Sequence, residues 1–182
     1  MQEKSRKQNN ESSIIYKNLD RGNIMRYNSI IKNDTTGAPG ICVSVYLQGC
    51  ENHCKGCHNP ETWDFNGGTQ FTEETMQEII NALKANGVQR SLAILGGEPL
   101  HKKNALLTEL IIKRVKEELP QTKIYIWTGF IYEKLLESND KSIQYILREA
   151  DILIDGPFVL ELRDITLKMR GSSNQHIINL KK

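Results

Sequence analysis

The apolar positions of the chain fall into short runs separated by stretches with helical spacing. Four runs are mostly apolar, which is typical of buried strands; they cover residues 41–47, 91–95, 123–127 and 151–154. The intervening spacing predicts one helix that begins after Thr72 and three that cover residues 103–119, 131–136 and 143–150. This alternation favours an α/β fold with a mainly parallel sheet. Four strands are too few for a closed eight-stranded barrel, so we expect an open, partial (β/α) barrel.

Two of the predicted helices have a well-defined apolar face. In the first, Thr72 is the expected N-cap, and the core stripe consists of Met76, Ile79, Ile80 and Leu83. In the second, the side chains expected to point inward are Leu106, Leu107, Leu110, Ile111 and Val115. We interpret both stripes as core rather than as cofactor contacts.

The first part of the chain lacks such patterns. Residues 1–20 are polar with mixed charge, and we expect them to form a poorly ordered N-terminal extension. Residues 22–40 are rich in turn-forming residues and are predicted to form a loop. Residues 21–182 are expected to form one domain, as is usual for a chain of 182 residues.

Charge and hydropathy argue against two classes of partner. The 24 basic and 22 acidic residues give a net charge of +2, which is too balanced to favour nucleic acid or an anionic membrane. No apolar run approaches the length needed to span a bilayer. Without an export signal we expect the cytoplasm, where thiols stay reduced.

Three of the four cysteines lie close together, directly after the first predicted strand. Cys50, Cys54 and Cys57 have the spacing Cys-x-x-x-Cys-x-x-Cys, and glycines at positions 49 and 56 let the loop bend tightly. Three thiolates on one loop suit an iron–sulfur cluster or zinc. Three ligands can hold three irons of a 4Fe–4S cube and leave the fourth iron open to a substrate.

Other interpretations of the cysteines remain open. His53 or His58 would complete a structural zinc site, although such sites usually pair two ligand groups that are distant in sequence. Disulfides are disfavoured in a chain with few cysteines and no export signal. We interpret Cys42, which lies within the strand, as a buried structural thiol.

The second predicted strand runs into Gly96, Gly97 and Glu98. Glycines at a strand end let a ligand approach the backbone, and a neighbouring carboxylate can accept hydrogen bonds from an ammonium group. A simple tight turn is the alternative. His101, shortly afterwards, is expected to be a capping or surface residue rather than a ligand. Because carboxyl ends of parallel strands meet at one edge, these loops are expected to lie together.

The cysteine spacing after one strand and Gly96-Gly97-Glu98-Pro99 after the next resemble the radical S-adenosylmethionine enzymes, and residues 58–64 resemble the glycyl-radical-enzyme activases among them. Four stretches resemble the activases of anaerobic ribonucleoside-triphosphate reductase: 96–101, 126–129, 155–159 and 170–175. The last stretch and the short chain favour these activases over those of pyruvate formate-lyase. The resemblance covers residues 24–180.

The resemblance implies a 4Fe–4S cluster and S-adenosylmethionine as cofactors, in a partial barrel of the radical S-adenosylmethionine type. The implied cluster ligands are Cys50, Cys54 and Cys57. The implied contacts to S-adenosylmethionine are Gly97 and Glu98 at its amino group, backbone at Gly56 and His58, and, from its strand-end position, Thr128. Many members carry an aromatic residue where this chain has Gly56, so adenine stacking has no assigned residue.

The implied activity is that of a radical-generating oxidoreductase with no catalytic side chain beyond the cluster ligands. The reduced cluster would cleave S-adenosylmethionine to a 5′-deoxyadenosyl radical, which would take hydrogen from a glycine of the reductase. Reduced flavodoxin or a similar carrier would supply the electron. The alternatives are an activase of another glycyl-radical enzyme and a zinc-binding interaction module without catalysis.

Overall fold

In the computed structural model, which describes residues 24–181, one sheet forms the centre of the molecule. Its seven strands within this range are β1 (Arg26–Asp34), β2 (Cys42–Leu47), β3 (Thr69–Gln70), β4 (Ser91–Gly96), β5 (Ile124–Trp127), β6 (Ile152–Asp155) and β7 (His176–Asn179). They are hydrogen-bonded in the order β3-β1-β2-β4-β5-β6-β7. All four predicted strands are present as β2, β4, β5 and β6, with bounds that differ by at most one residue at either end.

The sheet is mixed, and it does not close. The four central strands are parallel, whereas β1 runs antiparallel to β2 and β3, and β7 runs antiparallel to β6. The α/β class is therefore confirmed, but the prediction of a mainly parallel sheet is wrong. The error arises because strands outside the buried centre carry a weaker apolar pattern. The partial barrel stays a prediction.

Strand β1 corrects the prediction of a loop over residues 22–40. Its pairing with β2 is interrupted by irregularities between Tyr27 and Ser29 and between Ile31 and Asp34. Each irregularity shifts the side-chain alternation by one position, so no regular period of two is visible in the sequence. The predicted extension at residues 1–20 lies outside the described residues.

The helices are α1 (Glu73–Lys84), α2 (Ala105–Glu118), α3 (Tyr132–Leu136) and α4 (Lys141–Glu149), with short 3₁₀ turns at Pro60–Thr62, Ala85–Gly87 and Leu160–Leu162. Thr72 caps α1, since its side chain accepts a hydrogen bond from the Thr75 backbone N–H. The predicted stripe of α1 is buried, and so is that of α2 apart from one residue. Leu106 is 39% exposed, so its prediction as a core residue is wrong.

The parallel centre of the sheet decides where the loops meet. The carboxyl ends of β2, β4, β5 and β6 lie at one edge, and each continues into a glycine-containing loop. In an open α/β sheet this edge is where ligands bind. No helix in residues 24–181 has the length and apolar character needed to cross a membrane.

Candidate functional site

A cavity of about 320 Å³ opens at the carboxyl edge of the parallel strands. It brings together residues from all four strand-end loops, as predicted from the strand pattern. The predicted site residues that line it are Cys50, Cys54, Cys57, His58, Gly97, Glu98 and Thr128. Gly56 is the predicted contact that does not line the cavity; a Cβ at this position would instead lie 3.0 Å from the Leu160 side chain.

The cysteine loop is folded back on the segment that follows it. Gly49 and Gly56 have φ angles of +101° and +76°, which L-amino acids with side chains rarely adopt, as expected for a tightly bent loop. The Gly49 N–H donates to the Thr62 carbonyl over 2.7 Å, and the Cys50 N–H donates to the Trp63 carbonyl over 3.0 Å. The backbone of the loop is therefore fixed by hydrogen bonds of the chain itself.

The cysteine sulfurs are surrounded by backbone N–H donors. The Asn59 N–H lies 3.4 Å from Cys57 Sγ, the Phe158 N–H donates to Cys54, and N–H groups two and three residues further along donate to Cys50. Burial raises the pKa of the Cys50 and Cys54 thiols, and these donors act in the opposite direction. Hydrogen bonds to the sulfurs are a feature of cluster-binding cysteines, so the loop fits an iron–sulfur cluster.

The zinc alternative has less support from the geometry. The His53 ring packs against Trp63 with 4.6 Å between centroids, and the His58 ring lies 6.0 Å from that of Phe158. Across residues 24–181, no three His, Cys, Asp or Glu side chains are grouped to hold a single ion. In a 4Fe–4S cube each thiolate binds a different iron, so a cluster does not require the three thiolates to converge on a single ion.

Glu98 is the most deeply buried charged group of the site, with 1% of its surface exposed. Its Oε1 accepts hydrogen bonds from the Leu100 N–H (3.0 Å) and from Thr128 Oγ1 (2.6 Å). Its Oε2 accepts from the Gly129 N–H (2.7 Å) and from Asn52 Nδ2 (3.2 Å). Burial raises the pKa of this carboxyl, and the four donors act against that shift. The Thr128 hydroxyl is therefore committed to Glu98.

The turn after β4 is fastened to the cysteine loop. The Glu98 N–H donates to the Gly49 carbonyl over 2.8 Å, and the buried Asn104 amide donates to both the Gly49 carbonyl (3.1 Å) and the Glu98 carbonyl (2.9 Å). A Cβ at Gly97 would overlap the Gly49 carbonyl. Packing of the chain thus already requires glycine at position 97, and its contact with a cofactor stays a prediction.

His101 is 6% exposed, which corrects its prediction as a surface residue. Its Nδ1 accepts from the Lys103 N–H over 3.3 Å in the turn before α2, consistent with the capping alternative. Its Nε2 lies 3.2 Å from Glu51, and its ring packs 4.7 Å from that of Phe65. The residue thus contacts the cysteine loop through Glu51.

Several cavity residues were not predicted as site residues, among them Tyr46, Asn52, Trp127 and Gln175. Gln175 closes one wall, because its side chain accepts from the Gly171 N–H over 2.8 Å and donates to the Gly156 carbonyl over 2.9 Å. From the sequence, Tyr46 and Trp127 were interpreted only as strand residues. Trp127 and Gln175 lie in the stretches 126–129 and 170–175 that carried the resemblance, but no role was assigned to them, because the wall is assembled from segments that are distant in sequence.

Comparisons with known proteins agree with this geometry. Residues 36–178 match the family described as a 4Fe-4S single cluster domain. The chain is similar to the anaerobic ribonucleoside-triphosphate reductase-activating protein of Vibrio cholerae, with 36% identity over 154 residues (84% of this chain and 97% of the relative). It is 37% identical to that of Haemophilus influenzae over 158 residues (86% and 99%) and 35% identical to that of Escherichia coli K12 over 158 residues (86% and 100%).

Proposed function

This chain belongs to the family of anaerobic ribonucleoside-triphosphate reductase-activating proteins and to the 4Fe-4S single cluster domain family, and we propose that it is a radical S-adenosylmethionine activase. In this proposal it cleaves S-adenosylmethionine reductively and generates a glycyl radical on an anaerobic ribonucleoside-triphosphate reductase. The observation that carries the proposal is one cavity that is lined both by the three clustered cysteines and by the Gly97–Glu98 turn.

The cysteine loop would hold the cluster through Cys50, Cys54 and Cys57, with backbone N–H groups directed at the sulfurs. When bound, the reduced cluster and S-adenosylmethionine supply the one-electron chemistry that removes a hydrogen atom from a glycine of the reductase. No described acidic or basic side chain needs to transfer a proton in this reaction. The role of the chain is to bind and orient the reacting groups and to exclude water.

The rest of the cavity suits a small cofactor. Its volume of about 320 Å³ lies within the range of ligand sites in proteins. Trp127 and Tyr46 line it, and the Trp127 indole is held in place because its Nε1 donates to the Gly37 carbonyl over 3.0 Å. An aromatic wall of this kind supports stacking of an adenine ring, which would replace the aromatic residue absent at Gly56.

An apolar segment beside the cysteine loop supports a protein partner. Leu160 packs on Gly56, and the Lys55 ammonium lies 3.7 Å from the Glu161 carboxylate. Further along the same segment, Leu162 and Ile165 are 44% and 84% exposed. Contiguous exposed apolar patches mark protein docking surfaces, and here the reductase would have to bring a glycine to the cavity.

Two further elements complete the proposal. A reduced flavodoxin or a similar carrier would deliver the electron, and the protein would act in the cytoplasm, where cysteines that bind a cluster stay reduced. Both are supported by resemblance, and both are open to direct test with a purified electron carrier and by cell fractionation.

The decisive experiment is anaerobic reconstitution with iron and sulfide, followed by reduction and addition of S-adenosylmethionine with and without the reductase. We expect a cluster signal in electron paramagnetic resonance that changes when S-adenosylmethionine is added. A glycyl-radical doublet on the reductase should follow. Formation of 5′-deoxyadenosine without the doublet would indicate that the protein activates another glycyl-radical enzyme. Stoichiometric zinc without iron would refute the proposal.

A further inference from the structure

The Glu98 carboxylate has no acceptor position left for a ligand. Two carboxylate oxygens offer about four lone-pair positions, and the chain fills them with two donors on each oxygen: Leu100 N and Thr128 Oγ1 on Oε1, Gly129 N and Asn52 Nδ2 on Oε2. An ammonium group could bind this carboxylate only by displacing one of them.

Three of these donors are fixed. The N–H groups of Leu100 and Gly129 belong to the backbone of the turns that follow β4 and β5. The Thr128 hydroxyl is held from its other side, since it accepts from the Phe130 N–H over 3.0 Å. The fourth donor, Asn52, is a partly exposed side chain of the cysteine loop, and it lines the cavity.

Asn52 itself has a free acceptor. Its Nδ2 donates to Glu98, whereas its Oδ1 accepts no hydrogen bond within residues 24–181. A Cβ at Gly129 would overlap Asn52 Nδ2, so the nitrogen end of the amide sits tightly between Glu98 and Gly129. The oxygen end is consequently the end turned away from Glu98. It lies two residues from the cluster ligand Cys50, which is where the amino-acid end of the cofactor would be held.

We propose that Asn52 Oδ1 accepts a hydrogen bond from the ammonium group of S-adenosylmethionine, and that Glu98 is a positioning residue that orients the Asn52 amide. The inference rests on the proposed function, because it concerns the cofactor of that reaction. It replaces Glu98 as the direct acceptor and assigns a binding role to a residue that no motif marks. The negative charge of Glu98 strengthens the attraction without direct contact.

The test compares two ligands on the cluster-loaded, oxidised protein, in which no cleavage takes place. Equilibrium dialysis measures the affinity for S-adenosylmethionine and for its analogue with hydrogen in place of the α-amino group. The Asn52→Leu substitution removes the amide at nearly constant size. Since a hydrogen bond to a charged group is lost, we expect affinity for S-adenosylmethionine to fall about tenfold or more, with no change for the analogue. Exposed Asn66 provides the matched control, Asn66→Leu.

Glu98→Gln tests the positioning role. A glutamine Nε2 in place of Oε2 would face the Gly129 N–H and the Asn52 amide nitrogen, both of them donors, so the Asn52 amide would turn over and present its NH₂ to the cofactor. We expect the affinity for S-adenosylmethionine to fall as it does in Asn52→Leu, with no change for the deaminated analogue. Adding Asn52→Leu to Glu98→Gln should cause no further fall. Gly129→Ala, which displaces the Asn52 amide without changing either side chain, is expected to give the same result.

Two outcomes overturn the inference in different ways. If Glu98 receives the ammonium itself, Asn52→Leu frees Oε2, and the affinity for S-adenosylmethionine stays the same or rises. The proposed function then survives, but Asn52 is not the acceptor of the ammonium group. If the unsubstituted, cluster-loaded protein binds neither ligand, the proposed function fails and this inference fails with it.

Discussion

The buried Asn104 amide offers a direct test of how the site is held together. It links the cysteine loop to the turn after β4, because its Nδ2 donates to the carbonyls of Gly49 and Glu98. Asn104→Ala removes both bonds, while each carbonyl keeps one backbone donor. At about 0.5–1.5 kcal/mol for each bond, we expect the free energy of unfolding to fall by about 1–3 kcal/mol. For a chain of this size, that corresponds to a Tm lower by about 2–12 °C.

The assay is anaerobic thermal unfolding followed by circular dichroism, with Asn81→Ala as the matched control. Asn81 lies on the exposed face of α1, where it accepts from the Gln77 amide, so its replacement should change Tm by about 2 °C or less. Because Asn104 steadies Gly49 beside Cys50, the variant should also lose iron to a chelator faster than the control. Equal Tm values for the two variants would refute the argument that Asn104 joins the two loops.

Three other predictions concern different parts of the chain. Cys42→Ala should leave cluster assembly intact, whereas single alanine substitutions should abolish it at Cys50, Cys54 and Cys57; iron and sulfide content measure this. Ile165→Glu should lower glycyl-radical formation on the reductase at least tenfold while 5′-deoxyadenosine formation without the reductase persists, because an exposed apolar contact becomes charged. Burial acts to raise the pKa of Asp34, but hydrogen bonds from Ser44 and Thr36 outweigh it, so this pKa is lowered. Its contribution to stability is therefore full above about pH 4 and is lost as pH falls through the lower folded value, so Asp34→Asn should destabilise the protein at about pH 6 more than at about pH 3 in denaturant titrations.

Each of these predictions has a result that contradicts it. Loss of the cluster in Cys42→Ala would mean that the buried β2 thiol takes part in ligation. A similar loss of radical formation in Leu136→Glu, a change at an exposed leucine of α3, would show that the effect of Ile165→Glu is not specific to its segment. A constant difference between Asp34→Asn and the parent across this pH range would show that Asp34 has the same pKa folded and unfolded.

The central elements could be predicted because their signals are local. Strands β2, β4, β5 and β6 are buried and mostly apolar, and the Met76 to Leu83 stripe of α1 follows helical spacing. Strand β1 was missed because partly exposed residues and register irregularities remove any regular alternation. Strand β7 was missed because it is only four residues long and mostly exposed. Leu106 was misplaced because one side of an apolar face can lie beyond the core boundary.

The candidate site likewise contains residues that a local motif identified and residues that only the folded structure brings together. Cys50, Cys54 and Cys57 lie on one loop, so their spacing alone identified them, and Glu98 stood out beside two glycines. Asn52 lies 46 residues from the carboxylate that it contacts. The strand pattern predicted that the ends of β2, β4 and β5 meet at one edge, but it could not predict which side chains of the loops would pair there.

The hydrogen bonds also change how substitutions at the site should be interpreted. Glu98 is joined to the cysteine loop twice, through its N–H to Gly49 and through its carboxylate to Asn52, and to the end of β5 through Thr128. The part of the cavity that would hold the cluster and the part that would hold the cofactor are therefore one hydrogen-bonded unit. A weaker affinity for S-adenosylmethionine after Glu98 is replaced cannot by itself identify Glu98 as a ligand, because the same change releases Asn52. Only the loss of discrimination against the deaminated analogue, compared between single and double variants, separates direct binding from positioning.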